Sequence, residues 1–237
     1  MSDLRIALVA EGTTDQVIIE AALKAILPCP FILTYQPPVG TRPDLGEGWG
    51  KVMKWCREFH VRGCATVESD PTLELFDMVI LHLDADVADK SYADYGVNVA
   101  NMAQEEALAS LPCSSPCPPA SDTIEKLKIV FLSWLGVANL GRKSVFCIPS
   151  KSSEAWLAAA VFREDEDAKL LRELECNQGM ATQLANLPKV KRIRKSKTVY
   201  IRHAYSIYNN WNTIRKICSQ AEVFHNDVDR IIQEMTP

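Results

Sequence analysis

Four apolar runs punctuate the chain, and three of them stop abruptly at acidic or mixed polar clusters. Leu4 to Ala10 (LRIALVA) is rich in aliphatic residues and predicts a first strand that ends at Glu11. Phe31 to Tyr35 predicts a short second strand. Residues 76–83 (FDMVILHL) predict a central strand buried on both faces, as in a parallel sheet, and it ends at Asp84-Ala85-Asp86. Residues 143–148 predict a fourth strand, which runs out into Pro149-Ser150-Lys151-Ser152-Ser153-Glu154.

Between these runs the apolar spacing changes from strand-like to helical. Residues 13–27 place Val17, Ile18, Ala21, Ala22 and Ala25 on one stripe, with a Thr or Asp to cap the start and Pro28 and Pro30 to stop the end. Gly48-Trp49-Gly50 leads into a helix with Val52, Met53, Trp55, Cys56 and Phe59 inward. Further helices are predicted over 99–110 and from a Ser121 or Asp122 cap to Leu135, the latter burying Ile124, Leu127, Val130, Phe131 and Trp134. Strands alternating with helices give an α/β fold with a mostly parallel sheet. Two Pro-rich stretches, 36–50 and 112–121, interrupt the alternation as loops.

The pattern divides the chain into an α/β domain over 1–162 and a mainly helical extension over 163–237. In the extension, 164–175 hold six acids and two bases and read as a solvated helix. Short helices after Tyr200 carry Tyr205, Ile207, Trp211, Ile214, Ile217 and Phe224.

Composition adds little beyond a bound. With 47% hydrophobic and 24% charged residues, the chain can bury a sizeable core. A formal net charge of −4 argues against wholesale coating of nucleic acid. The N-terminus lacks the basic and apolar regions of a signal peptide, and no apolar run approaches the ~18 residues of a membrane span. Eight scattered cysteines without paired zinc-ribbon spacing predict reduced thiols and a cytoplasmic protein.

The strand ends carry the candidate chemistry. Side chains at i and i+2 of an extended segment share a face, so Asp84 and Asp86 can point into one site. Two anions that close need a shared cation or proton, and Mg²⁺ or Mn²⁺ suits such oxygen ligands. Adjacent parallel strands would bring Glu11 with Asp15, Asp84 with Asp86, and Glu154 beside Ser152 to one sheet edge. The blander readings are a turn-forming Asp at a strand end and a Glu154 that satisfies a helix dipole. His82, inside the central strand, reads as a hydrogen-bonded core residue, and Trp49 and Trp55 read as core or loop anchors. Lys189, Lys191, Arg192, Arg194, Lys195 and Lys197 fall in a 14-residue stretch without an acid; they read as either a phosphate-tracking arm or a solvated loop. A Gly136-to-Ser144 stretch resembles a phosphate loop, but it has Arg142 where Lys belongs and precedes a strand, so it is set aside.

Glu11-Gly12-Thr13-Thr14-Asp15 after the first strand and Asp84-Ala85-Asp86 after the third resemble the two signature motifs of the Toprim fold. Ser152-Ser153-Glu154 resembles the SxE element of the OLD-like nucleases within that group. The likeness spans roughly residues 1–160. It implies a metal-dependent phosphodiester site with Glu11, Asp84 and Asp86 catalytic, and with Asp15, Ser152 and Glu154 completing the Mg²⁺ or Mn²⁺ ligands. A lysine from the C-terminal side, Lys195 or Lys197, would assist. The chain carries no ATPase of its own, and it is similar to small stand-alone Toprim proteins of anti-phage operons, where an ATPase would be a separate partner. The implied function is a nuclease on DNA or RNA. The alternative is a catalytically weak subunit of an ATPase complex that senses nucleotide or nucleic acid. A haloacid-dehalogenase-like phosphatase also uses DxD, but it needs Asp where Glu11 ends the first strand.

Overall fold

The computed structural model describes residues 3–36, 48–162 and 164–235. Strands β1 (Leu4–Val9), β2 (Phe31–Tyr35), β3 (Met78–His82) and β4 (Ser144–Cys147) form a four-stranded sheet in the order β2-β1-β3-β4. Every neighbouring pair is parallel, with Leu4 opposite Phe31, Ile6 opposite Met78 and Val79 opposite Ser144. The strand order reverses between β1 and β3, and a crevice opens there at the carboxyl ends of the strands.

Parallel neighbours need crossover connections, and the chain uses helices for them. Helix α1 (Thr13–Ile26) links β1 to β2, and α2 (Trp49–Val61) precedes β3. Helices α3 (Val97–Glu105) and α4 (Ser121–Leu135) lie between β3 and β4. The strands alternate their side chains between two cores. Ile6, Leu8, Met78, Ile80 and Val145 face α1, whereas Ala7, Val9, Val79 and Leu81 face α2 and α4. Burial on both sides explains why β3 reads as an unbroken apolar run.

Among the described residues, six α-helices follow β4: α5 (Glu154–Val161), α6 (Glu164–Leu171), α7 (Met180–Asn186), α8 (Lys197–Asn209), α9 (Trp211–Ile217) and α10 (Ser219–Met235). Tyr200, Ile207, Trp211, Ile214, Phe224 and Val228 all enter the core shared with α1 and α5. Trp156 of α5 anchors this layer, edge-on to Trp211 and stacked on Phe224 with ring centroids 5.4 and 5.8 Å away. Among the described residues, no helix is long and apolar enough to cross a membrane.

Several local expectations are corrected. Neither Thr nor Asp caps α1; Gly12 holds the cap position, and Asp15 is committed elsewhere. Ala120 occupies the cap position of α4, so Ser121 and Asp122 lie within the helix. The acidic 164–175 segment is not one solvated helix: α6 is broken at Asp167 and ends at Leu171, and Leu171 and Leu174 are buried. The thiols are not all reduced, because Cys117 and Cys176 are joined in a disulfide. A separation of 59 residues hid that pairing, which arises because the Pro/Ser loop packs against the turn after α6. The other six cysteines are free. Most of the 36–50 loop, residues 37–47, lies outside the described residues.

Candidate functional site

Strand ends deliver the acids, as the parallel order requires. Val9 pairs with Leu81, so Glu11 and Asp84 leave adjacent strands at nearly the same level. The Asp84 backbone N–H donates to Glu11 Oε1 at 2.8 Å, joining the two strand ends across the crevice. Gly48 lies against the same carboxylate: a Cβ there would sit 3.4 Å from Glu11 Oε2, and its φ of +83° independently favours glycine.

Asp15 sits in the first turn of α1, buried, and accepts from Ser153 Oγ at 2.6 Å. The Ser153 N–H donates to Asp84 Oδ1 at 2.9 Å. Ser153 therefore ties α1, β3 and the start of α5 into one polar cluster. Glu154, 1% exposed, opens α5 and faces α8. Its Oε1 accepts from Tyr200 Oη at 2.9 Å and lies 2.9 Å from Lys195 Nζ. Its Oε2 is buried without a hydrogen-bond partner.

His82, the last residue of β3, is fully buried. Its neighbours two and four positions back, Ile80 and Met78, face α1, which puts the imidazole on the side that carries Asp15 and Glu154. Its Nε2 is 3.3 Å from Asp84 Oδ1, but neither ring nitrogen makes an aligned hydrogen bond. His82 is thus a core histidine as expected, with Asp84 as its polar neighbour, but the contact lacks the alignment of a good hydrogen bond. One ligand atom from each of Glu11, His82 and Asp84 lies within 4.8 Å of the others, close enough to share an ion.

Asp86 is exposed and lines the mouth of a cavity of about 90 Å³, together with Asp84, Ser152, Glu154, Lys151 and Lys195. That volume admits a few waters or a phosphate group, not a base. Lys151 is buried and pairs with Asp89 at 3.1 Å. A larger cavity of about 510 Å³ lies by Arg142 and Lys143, at the opposite end of β4 and away from this chemistry.

The electrostatics follow from this crowding. Burial, then the charges of Asp84 and Asp15, pushes Glu11 well above the ordinary carboxylate range. Burial also raises Asp84, to about 7, with Asp15 and Glu154 adding and His82 opposing. Burial would raise Glu154 as well, but Lys195 and its hydrogen bonds outweigh it and the net shift is downward. Burial opposes the Lys195 ammonium, whereas Glu154 outweighs burial and raises it. Burial and the Glu154 charge together hold the Tyr200 phenol protonated.

The structure thus brings Glu11, Asp15, Asp84, Asp86, Ser152 and Glu154 to one edge of the sheet. Of the basic segment, Lys195 reaches into the acids. Lys191 pairs with Asp167 at 2.7 Å, and Arg192 Nε donates to the Leu187 carbonyl at 3.0 Å. Lys189, Arg194 and Lys197 are exposed beside them. Sequence reading missed Ser153, Tyr200 and His82 as members of the site. For His82 a signal existed: a histidine two residues before Asp84, on the same side of an extended segment that is otherwise apolar.

No protein-family model, curated protein or solved structure matches this chain. The site's own chemistry carries the functional reading.

Proposed function

We propose that this protein is a metal-dependent phosphodiesterase that cleaves DNA or RNA. The observation that carries the reading is the convergence of Glu11 and Asp84 at the strand-order reversal, with Asp86, Glu154 and Lys195 around the same crevice. Burial first, and the neighbouring carboxylate charges second, raise Glu11 and Asp84, so a cation between them would relieve the cost of ionising both. The buried ring nitrogens of His82, which make no aligned hydrogen bond although Nε2 lies 3.3 Å from Asp84 Oδ1, fit a site built for a cation as well.

Glu11 and Asp84 would hold a divalent ion, Mg²⁺ or Mn²⁺, with Asp86 at the mouth. Such an ion activates water and offsets charge that develops on a phosphodiester. The chain's own residues do the rest. Lys195 is half-exposed at the cavity, so its ammonium can approach a phosphate oxygen from the solvent side while Glu154 holds it in place. Tyr200 Oη anchors Glu154 from beneath. Asp15 and Ser153 fix Asp84 through the Ser153 N–H and hydroxyl. The exposed Lys189, Arg194 and Lys197, with the exposed Tyr205 and Tyr208 rings 6.3 Å apart on α8, give a nucleic-acid strand charge and stacking surface outside the small cavity.

Cleavage of supercoiled plasmid, linear DNA and structured RNA with Mg²⁺ or Mn²⁺ tests this directly. Cleavage abolished by EDTA and by Asp84→Asn supports the reading. Folded protein that binds nucleic acid yet never cleaves it, alone, would instead support a partner-dependent sensing subunit.

A further inference from the structure

We propose that His82 is a metal ligand, so that the resident ion is a nitrogen-binding divalent ion of the first transition row in preference to Mg²⁺. This rests on the metal-site reading above and specifies its ion. His82 is 0% exposed, yet neither ring nitrogen has a hydrogen-bond partner. Buried polar groups in folded proteins are nearly always bonded, and an orphan beside carboxylates points to a missing partner. The partner is positioned to be a cation. His82 Nε2 lies 3.3 Å from Asp84 Oδ1 without the alignment of a hydrogen bond. Two neighbouring ligands of one ion at bond lengths near 2.1 Å sit about 3.0–3.4 Å apart, so this spacing is what a shared ion would leave. Glu11 supplies a third ligand atom within 4.8 Å of both.

The surroundings hold the imidazole in place. Its strand is central in the sheet, and its register partner on β4 is the buried Cys147. Asp84, in turn, is fixed by the Ser153 N–H at 2.9 Å. Mg²⁺ favours oxygen and keeps its waters, whereas imidazole favours ions further along the first transition row. A His-Glu-Asp set therefore selects against Mg²⁺ even where two carboxylates alone would accept it.

Pulsed EPR of the full chain titrated with Mn²⁺ reads the ligand directly. The expected spectrum contains a nitrogen hyperfine coupling of a directly bound imidazole, which disappears in His82→Asn. Mn²⁺ affinity falls at least about tenfold in that variant, and Mg²⁺ competes only in large excess against the wild type. Mn²⁺ bound with no nitrogen coupling overturns the assignment of His82 while leaving the carboxylate site standing. No binding of either ion by folded protein overturns the assignment and the metal site together. If His82→Asn does not fold, the wild-type spectrum decides, with imidazole-labelled [¹⁵N]histidine confirming the source of the coupling.

Discussion

The backbone N–H of Asp84 donates to Glu11 Oε1 at 2.8 Å, so one carboxylate is held by the chain that delivers the other. This bond spans the crevice between β1 and β3 at the point where the sheet reverses its strand order. It keeps two mutually repelling acids in register without neutralising either. The arrangement costs stability that a bound cation would return.

Glu11→Gln keeps an oxygen that can accept the Asp84 N–H but removes the charge. Metal-dependent cleavage is expected to fall at least about a hundredfold, since ion-mediated charge stabilisation is worth several kcal/mol. The metal-free protein is expected to melt no lower than wild type, because the repulsion from Asp84 and Asp15 disappears. Glu11→Ala loses the hydrogen bond too and is expected to melt lower than Glu11→Gln. Parallel cleavage assays and thermal melts of the two variants check the separation. Retained cleavage in both would remove Glu11 from the site.

Metal-free stability is expected to decline as pH rises. Burial raises Asp84 from the ordinary 3.8 to about 7, so between those values the folded state holds more protons than the unfolded chain. Stability gained by protonation is full below about pH 4 and is lost as pH climbs through about 7. Glu11, also raised by burial and by Asp84, has the same sign. Melting with EDTA at pH 5, 6, 7 and 8 should show a decline that Asp84→Asn flattens. Added Mn²⁺ should reverse it, most strongly at the alkaline end, where its ligands are deprotonated. A profile that rises with pH in EDTA would contradict the raised carboxylates.

The parallel sheet was legible because β1 and β3 are mainly aliphatic runs followed by acids, which solvation forbids inside a strand buried on both faces. Glu11, Asp84 and Asp86 followed from those endpoints. What the sequence hid was long-range. Ser153 resembles an ordinary helix-start serine, yet its hydroxyl serves Asp15, 138 positions away. Tyr200 looks like one more aromatic on an amphipathic helix until α8 docks against α1 and α5 and turns its hydroxyl onto Glu154. The Cys117–Cys176 link depends on the Pro/Ser loop meeting the turn after α6, which no local spacing encodes.

Lys195 and Glu154 provide a test of coupling across that packing. Lys195→Met leaves a 1%-exposed carboxylate without its counter-charge, although Tyr200 still donates to it. A loss of about 1–3 kcal/mol is expected, less than for a fully buried pair because Lys195 is 49% exposed. Glu154→Gln in the same background should recover much of that loss, because the stranded charge is gone. Urea unfolding of the two single variants and the double variant measures the coupling, and strictly additive effects would mean that the pair contributes no interaction of its own.

Gly50→Ala should destabilise, against the usual helix preference for alanine. Gly50 lies inside α2, where Ala would ordinarily gain about 1 kcal/mol. Here a Cβ would fall 1.8 Å from the Tyr95 ring, which also packs 4.9 Å from Trp49. The ring must move to admit the methyl group, disturbing the Trp49 contact with Trp134 behind it. A net loss of about 1–3 kcal/mol in thermal or urea unfolding is expected, and a gain would show that Tyr95 moves at no cost.

Lys189, Arg194 and Lys197 are exposed outside the cavity, so their removal tests nucleic-acid binding apart from the ion site. Each Ala substitution should leave melting within about 0.5 kcal/mol of wild type and leave Mn²⁺ affinity unchanged. Binding of a nucleic-acid strand, followed by fluorescence anisotropy across a salt series, should weaken similarly for unrelated sequences. The slope of log affinity against log salt should shrink by roughly one per residue removed, as expected when each cation releases one counterion from the backbone. A triple variant with an unchanged slope would make this segment a solvated loop. Asp84→Asn should behave oppositely, binding nucleic acid at least as tightly as wild type while losing cleavage, because it removes negative charge from the edge of the same crevice.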